Sequence, residues 1–116
     1  MALALNNYQT ITGIVTANTE NVGIYTAPTG YSAIVLLAQA TNTGSDTQTV
    51  NFSHVRSRTG TAVTTELLLG FPVPKNDAAN LLAGKLVLET GDSLVIKSSS
   101  NTDVKFISSI LETLNQ

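Results

Sequence analysis

His54 is the one histidine in the 116 residues. It is therefore the one side chain whose ordinary pKa suits general acid–base chemistry near neutral pH. A hydrolytic triad would need a hydroxyl nucleophile and a carboxylate arranged around it. The carboxylates are Glu20, Asp46, Glu66, Asp77, Glu89, Asp92, Asp103 and Glu112, scattered along the chain, so that only the fold could bring a pair together as a calcium site or an acid/base pair. His54 falls on the apolar side of the alternating segment Val50-Asn51-Phe52-Ser53-His54. That position predicts a partly buried imidazole with a backbone partner rather than a catalytic base. With one His and no Cys, a structural zinc site lacks ligands. No segment matches an EF-hand loop, and the glycines form no phosphate-binding motif. Asn51-Phe52-Ser53 fits a glycosylation sequon, which without a leader peptide reads as a chance match. The expectation is a non-enzymatic chain with no cofactor and no metal.

Contact chemistry is the remaining possibility. The formal net charge is -2, which gives no electrostatic footprint for nucleic acid. Arg56 and Arg58 are the one close pair of basic residues. Charged residues make up 12% of the chain, against about 25% in a typical globular protein. Thr, Ser and Asn take their place. A neutral polar surface of short side chains loses little hydration when a partner covers it. The start, Met1-Ala2-Leu3-Ala4-Leu5-Asn6-Asn7-Tyr8, has no basic region and too short an apolar run for a signal peptide. No stretch approaches the roughly 18 apolar residues of a membrane span. Residues 1–8 read instead as an arm that docks on something, spanning at most roughly 28 Å if extended. Met1, Ala2, Leu3, Ala4, Leu5 and Tyr8, with Arg56 and Arg58, are the candidate contact residues. The absence of Cys is compatible with assembly in a reducing cytoplasm.

The elements that must position these residues read as strands. Tyr8 to Thr16 is rich in β-branched residues, and Val22 to Thr26 is a second short run. Pro28-Thr29-Gly30 is a turn, with Pro fixing φ and Gly supplying freedom. Tyr31 to Ala40 is almost continuously apolar and reads as a central strand buried on both faces, with a helix left open by periodicity alone. Thr47 to Val55 alternates, and the threonines favour a strand over Val63 to Leu69. Asn76 to Asn80 reads as one helical turn or a loop. Lys85 to Glu89 and Ser93 to Lys97 read as a hairpin joined by Thr90-Gly91-Asp92. Val104, Phe106 and Ile110 share one face of a last strand. No linker divides the chain, so residues 9–116 form one domain. The prediction is all-β: a single antiparallel β-sandwich, jelly-roll-like, of seven to eight strands, with an extended N-terminal arm.

The segment Ile24-Tyr25-Thr26-Ala27-Pro28-Thr29-Gly30-Tyr31-Ser32-Ala33-Ile34-Val35 resembles a recurrent opening of small tailed-phage structural proteins. There, a tyrosine precedes Thr-x-Pro-x-Gly, followed by an apolar strand and a polar Asn-Thr loop, here Ala40-Thr41-Asn42-Thr43-Gly44. Leu86 to Lys97, with its Gly-Asp turn, and the closing Ile110-Leu111-Glu112-Thr113-Leu114-Asn115 are similar to segments of cyanophage virion proteins. The resemblance covers most of the chain from Val22 onward. It implies a virion component: a capsid decoration (cement) protein on the major capsid protein lattice, or a neck, tail or fibre subunit. It implies assembly in the host cytoplasm and a homo-oligomer, with a trimer among the states allowed. A carbohydrate-binding module for host adhesion is the competing class, marked by a row of exposed aromatic rings. Neither nucleic acid nor membrane is an expected partner.

Overall fold

The computed structural model describes residues 6–15, 22–58, 61–100 and 102–114. Among them are nine strands: β1 (Asn6–Val15), β2 (Val22–Thr26), β3 (Tyr31–Asn42), β4 (Gln48–Arg58), β5 (Thr61–Val73), β6 (Asp77–Asn80), β7 (Leu86–Leu88), β8 (Ser93–Ser98) and β9 (Val104–Leu114). Two antiparallel sheets form. In the first, the order is β1-β9-β3-β6, with β7 also pairing β3. The second has the order β2-β8-β4-β5. β6 and β7 lie along different lengths of β3, at Gln39–Asn42 and Ala33–Val35, and so act as one broken strand. Counted that way, the chain fills eight strand positions in two four-stranded sheets. This is the jelly-roll form of the β-sandwich.

Alternation builds the core. Val104, Phe106, Ser108, Ile110 and Glu112 of β9 all point inward and are buried. β8 does the same with Leu94, Ile96 and Ser98, and β4 with Val50 and Phe52. Phe52 of the second sheet faces Phe106 of the first, with ring centroids 6.1 Å apart. The turn after β2 closes through Tyr31 N–H donating to the Pro28 carbonyl at 3.0 Å. Gly30, at φ 87°, takes the third position, where a type II turn needs positive φ.

Four expectations change. The segments 85–89 and 93–97 are not a hairpin: β7 pairs β3 in the first sheet, and β8 pairs β2 and β4 in the second. The Glu89–Asp92 turn therefore carries the chain from one sheet to the other. It is pinned to the β2–β3 turn by Gly91 N–H on Ala27 O (3.0 Å) and Ala27 N–H on Asp92 O (2.9 Å). Two strands that face each other across a core show the same alternation as two that pair side by side, so the pattern alone does not separate these cases. β3 is central, as expected, but only its inner face is sealed. A bulge between Val35 and Leu37 leaves Leu36 and Leu37 41% and 38% exposed. Residues 77–80 form β6 rather than a helical turn, entered through Asn76 at φ 58° and an Asp77 N–H bond to Pro74 O. Finally, Asn6, Asn7 and Tyr8 are not arm but the first residues of β1, opposite Thr113, Glu112 and Leu111.

Candidate functional site

Among the described residues the sequence-derived candidates fall on different sheets, Tyr8 in β1 of the first and His54, Arg56 and Arg58 in β4 of the second. Met1, Ala2, Leu3, Ala4 and Leu5 lie outside the described residues. Arg58 closes β4 opposite Thr61. Arg56 Nη2 is 3.1 Å from Glu89 Oε2, both side chains well exposed. An ion pair in that setting contributes about 0–1 kcal/mol and marks no site. His54 Nε2 lies 3.4 Å from Asp92 Oδ2, without hydrogen-bond alignment. The Nε2 side of His54 thus faces a carboxylate. Asp92 Oδ2 accepts the Glu89 N–H at 3.0 Å, so this carboxylate also shapes the turn that crosses between the sheets.

Sequence reasoning missed Glu112. It is 3% exposed and sits at the inward end of β9. Its Oε1 accepts from Asn7 Nδ2 at 3.0 Å and from Gln9 Nε2 at 2.9 Å, and its Oε2 accepts from the Tyr25 hydroxyl. A buried carboxylate with three donors is satisfied rather than orphaned. It ties β1 and β9 to β2 of the opposite sheet. The signal was available: extending the face of Val104, Phe106 and Ile110 by two residues places Glu112 inward. All three partners are neutral donors that anchor it, so the cluster is a structural clamp.

The clamp has a pH signature. Burial, then the hydrogen bond to Glu112 and the charge of that carboxylate, push the Tyr25 phenol well above its ordinary value of 10.0. Its folded-state proton is held more tightly than its unfolded-state proton. The contribution to stability is full below about pH 10 and is lost as pH rises through the folded-state value. Ultraviolet titration of the three tyrosines should show one that ionises only with alkaline unfolding. In Tyr25→Phe that late component should vanish and the fall in stability above pH 10 should flatten. A late component that survives in Tyr25→Phe would contradict this placement.

The remaining candidate is a surface. On the outer face of the first sheet, Tyr8 is opposite Leu111, Leu111 opposite Ile34, and Ile34 opposite Val87. Directly paired residues point to the same side of a sheet, so these four form one apolar row crossing four strands. Its two ends are wide open: Tyr8 is 76% and Val87 58% exposed. Leu36 and Leu37, pushed out by the β3 bulge, widen the row towards β6. Beyond them a groove of about 270 Å³ runs between Leu36, Leu37, Leu82 and Ala83. A contiguous apolar strip is the kind of feature that marks a contact surface, unlike scattered single hydrophobes. Of the sequence candidates among the described residues, Tyr8 alone belongs to it.

No family model matches the sequence, and no curated protein matches it. Solved structures do share the fold. A chain of the T13 particle of infectious bursal disease virus superposes with a TM-score of 0.58 at 9% identity, over 97% of this chain and 32% of that one. This chain thus spans about a third of the capsid chain that it matches. A subunit of the Bacillus endospore appendages, described as disulfide-linked pili, superposes with a TM-score of 0.52 at 16% identity, over 100% of this chain and 97% of that one. The CBM22-1 xylan-binding domain from Paenibacillus barcinonensis lies farther off, at a TM-score of 0.46 and 17% identity, over 92% and 71% of the two chains. The superpositions on the viral and pilus chains establish the jelly-roll sandwich and, at such low identities, nothing finer.

Proposed function

We propose that this protein is a non-enzymatic structural subunit of a tailed-phage particle, most simply a capsid decoration protein seated on the major capsid protein. A neck, tail or fibre position is the alternative within the particle. The observation that carries the reading is the apolar row Tyr8–Leu111–Ile34–Val87, a broad strip with no ionisable group in it beyond the tyrosine hydroxyl. Its chemistry is that of a surface covered by protein. The sequence resemblance supplies the phage setting. Related folds in a viral particle and in a pilus are consistent with a sandwich used as a repeating building block. A sugar-binding module would present several exposed rings, whereas Tyr8 is the one aromatic side chain more than half exposed among the described residues.

The test is co-sedimentation of the purified chain with phage capsids stripped of their accessory proteins. Wild type should pellet with the capsids and saturate at a fixed ratio to the major capsid protein. Y8K/V87K, altered at two exposed positions, should keep its fold and lose the association by more than about tenfold. If wild type stays in the supernatant with capsids, necks and tails alike, the reading is wrong.

A further inference from the structure

Each sheet of a sandwich ends in strands whose outer N–H and C=O groups face solvent, and proteins blunt such edges with charges, prolines, bulges or short lengths. Three of the four edges here are blunted. β2 has five residues and a register shift. β5 has two register shifts, Gly70 at φ 67° and Pro72 within the strand. β6 and β7 have four and three residues. The fourth edge, β1, has none of these devices. Its ten residues pair with β9 in unbroken register, and it contains no Pro and no Asp, Glu, Lys or Arg. Among the described residues, nothing pairs with its other side.

The geometry points to β1 as a strand-addition edge whose occupant is β1 of a second copy, joined antiparallel about a two-fold axis. This rests on the reading of the protein as an assembly subunit and adds a defined contact to it. The argument for self-pairing is the sequence of the strand. Tyr8, Thr10, Thr12 and Ile14 lie on the outer face. In the register that centres Ile11 on itself, Tyr8 of one copy stands opposite Ile14 of the other, and Thr10 opposite Thr12. Aromatic with β-branched, and Thr with Thr, are favourable cross-strand pairs. Tyr8 and Ile14, 76% and 57% exposed, are the two exposed large apolar side chains of β1, and this register covers each with the other. An uncharged strand brings no like charges together when it meets its own copy, although each chain carries a net charge of -2. The same contact runs the apolar row of one subunit up to the edge of the next, continuing the first sheet through the dimer. A two-fold contact of this kind is self-complementary and closed.

The chain contains no cysteine, so engineered thiols report cleanly. Thr10→Cys and Thr12→Cys chains, one carrying a size tag, are mixed and oxidised. The mixture should give the tagged–untagged disulfide dimer in excess over dimers of either variant alone, because the register places 10 opposite 12 and leaves 10–10 and 12–12 on the longer diagonal. Thr64→Cys, on the exposed part of β5, should stay uncrosslinked. In sedimentation equilibrium, wild type should dimerise. T10K/T12K, which sets two pairs of like charges opposite each other, should weaken the dimer by more than about tenfold with the fold unchanged by circular dichroism. Oligomers that persist in T10K/T12K would overturn the β1 contact while leaving the assembly reading standing. A wild-type monomer with no 10–12 crosslink would also overturn it, and capsid co-sedimentation then judges the assembly reading independently.

Discussion

Phe52→Ala is expected to lower folding stability by about 3–5 kcal/mol, the largest effect of any single truncation considered. Phe52 is fully buried in β4. Its neighbours along the second sheet are Ile96 of β8 and Leu68 of β5. Across the core its ring meets Phe106 at 6.1 Å. The two sheets stand about 10 Å apart and are held by all the other inward side chains, so they do not close over the missing ring. The loss therefore comprises the transfer free energy of the ring and the cavity that it leaves. Against a total stability of about 5–15 kcal/mol, that removes a large share of the margin. The melting temperature should drop by roughly 12–20 °C for a chain of this length. Phe52→Leu, which keeps most of the volume, should cost about 1–2 kcal/mol. Urea unfolding of the pair checks both values. A cost below about 1 kcal/mol for Phe52→Ala would mean that the two sheets do not meet through this ring.

The second large effect is expected at Asn42, the last residue of β3. Asn42 is completely buried, yet it is polar. Its Nδ2 donates to Asp46 O at 2.7 Å and to Val73 O at 2.9 Å, and its Oδ1 accepts from Gly44 N–H at 2.9 Å. One side chain thus ties the end of β3 to the loop that follows it and to the end of β5 in the other sheet. Asn42→Ala strands two carbonyls and an amide, each costing about 1–3 kcal/mol if left buried without a partner. Some of them reach water after the change, so the net expectation is about 2–4 kcal/mol. Asn42→Asp tests the cause. It keeps the shape and the acceptor but removes both donor bonds and faces two carbonyl oxygens with a third oxygen. It should be at least as damaging at neutral pH. If Asn42→Asp were neutral in denaturant unfolding, the hydrogen-bond account of this residue would fail.

Strand alternation was legible in the sequence, and so was most of the architecture. The inward face of Val104, Phe106 and Ile110 appears as read, and so does the short β2 with the turn that follows it. The β7–β8 misreading shows where local pattern stops. Leu86 and Leu88 alternate because they face the core from one sheet, and Leu94 and Ile96 because they face it from the other. Nothing within a dozen residues records which of these holds. Bulges were equally silent: the run Val35-Leu36-Leu37 carries no mark of the shift that turns two leucines outward. Tyr8 was identified as a contact residue from its place near the start of the chain. Its real setting, the row with Leu111, Ile34 and Val87, depends on three registers between strands distant in sequence. Glu112 was the opposite case, a charge on an inward position that the alternation already exposed.

The place of β9 has a consequence for how the molecule comes into being. It is the partner of both β1 and β3, and it follows every other described strand. Asn7 must wait for Glu112, 105 residues later, before its side chain finds its acceptor. On the ribosome, at roughly 5–20 residues per second, the first strand therefore leaves the exit tunnel seconds before the strand that will hold it. Through that interval the uncharged β1 has neither of its edges occupied. Folding dominated by pairings so distant in sequence belongs to the slow, millisecond-to-second class. The nascent chain is thus most exposed to association with its neighbours on the same message while its central strand is still unmade.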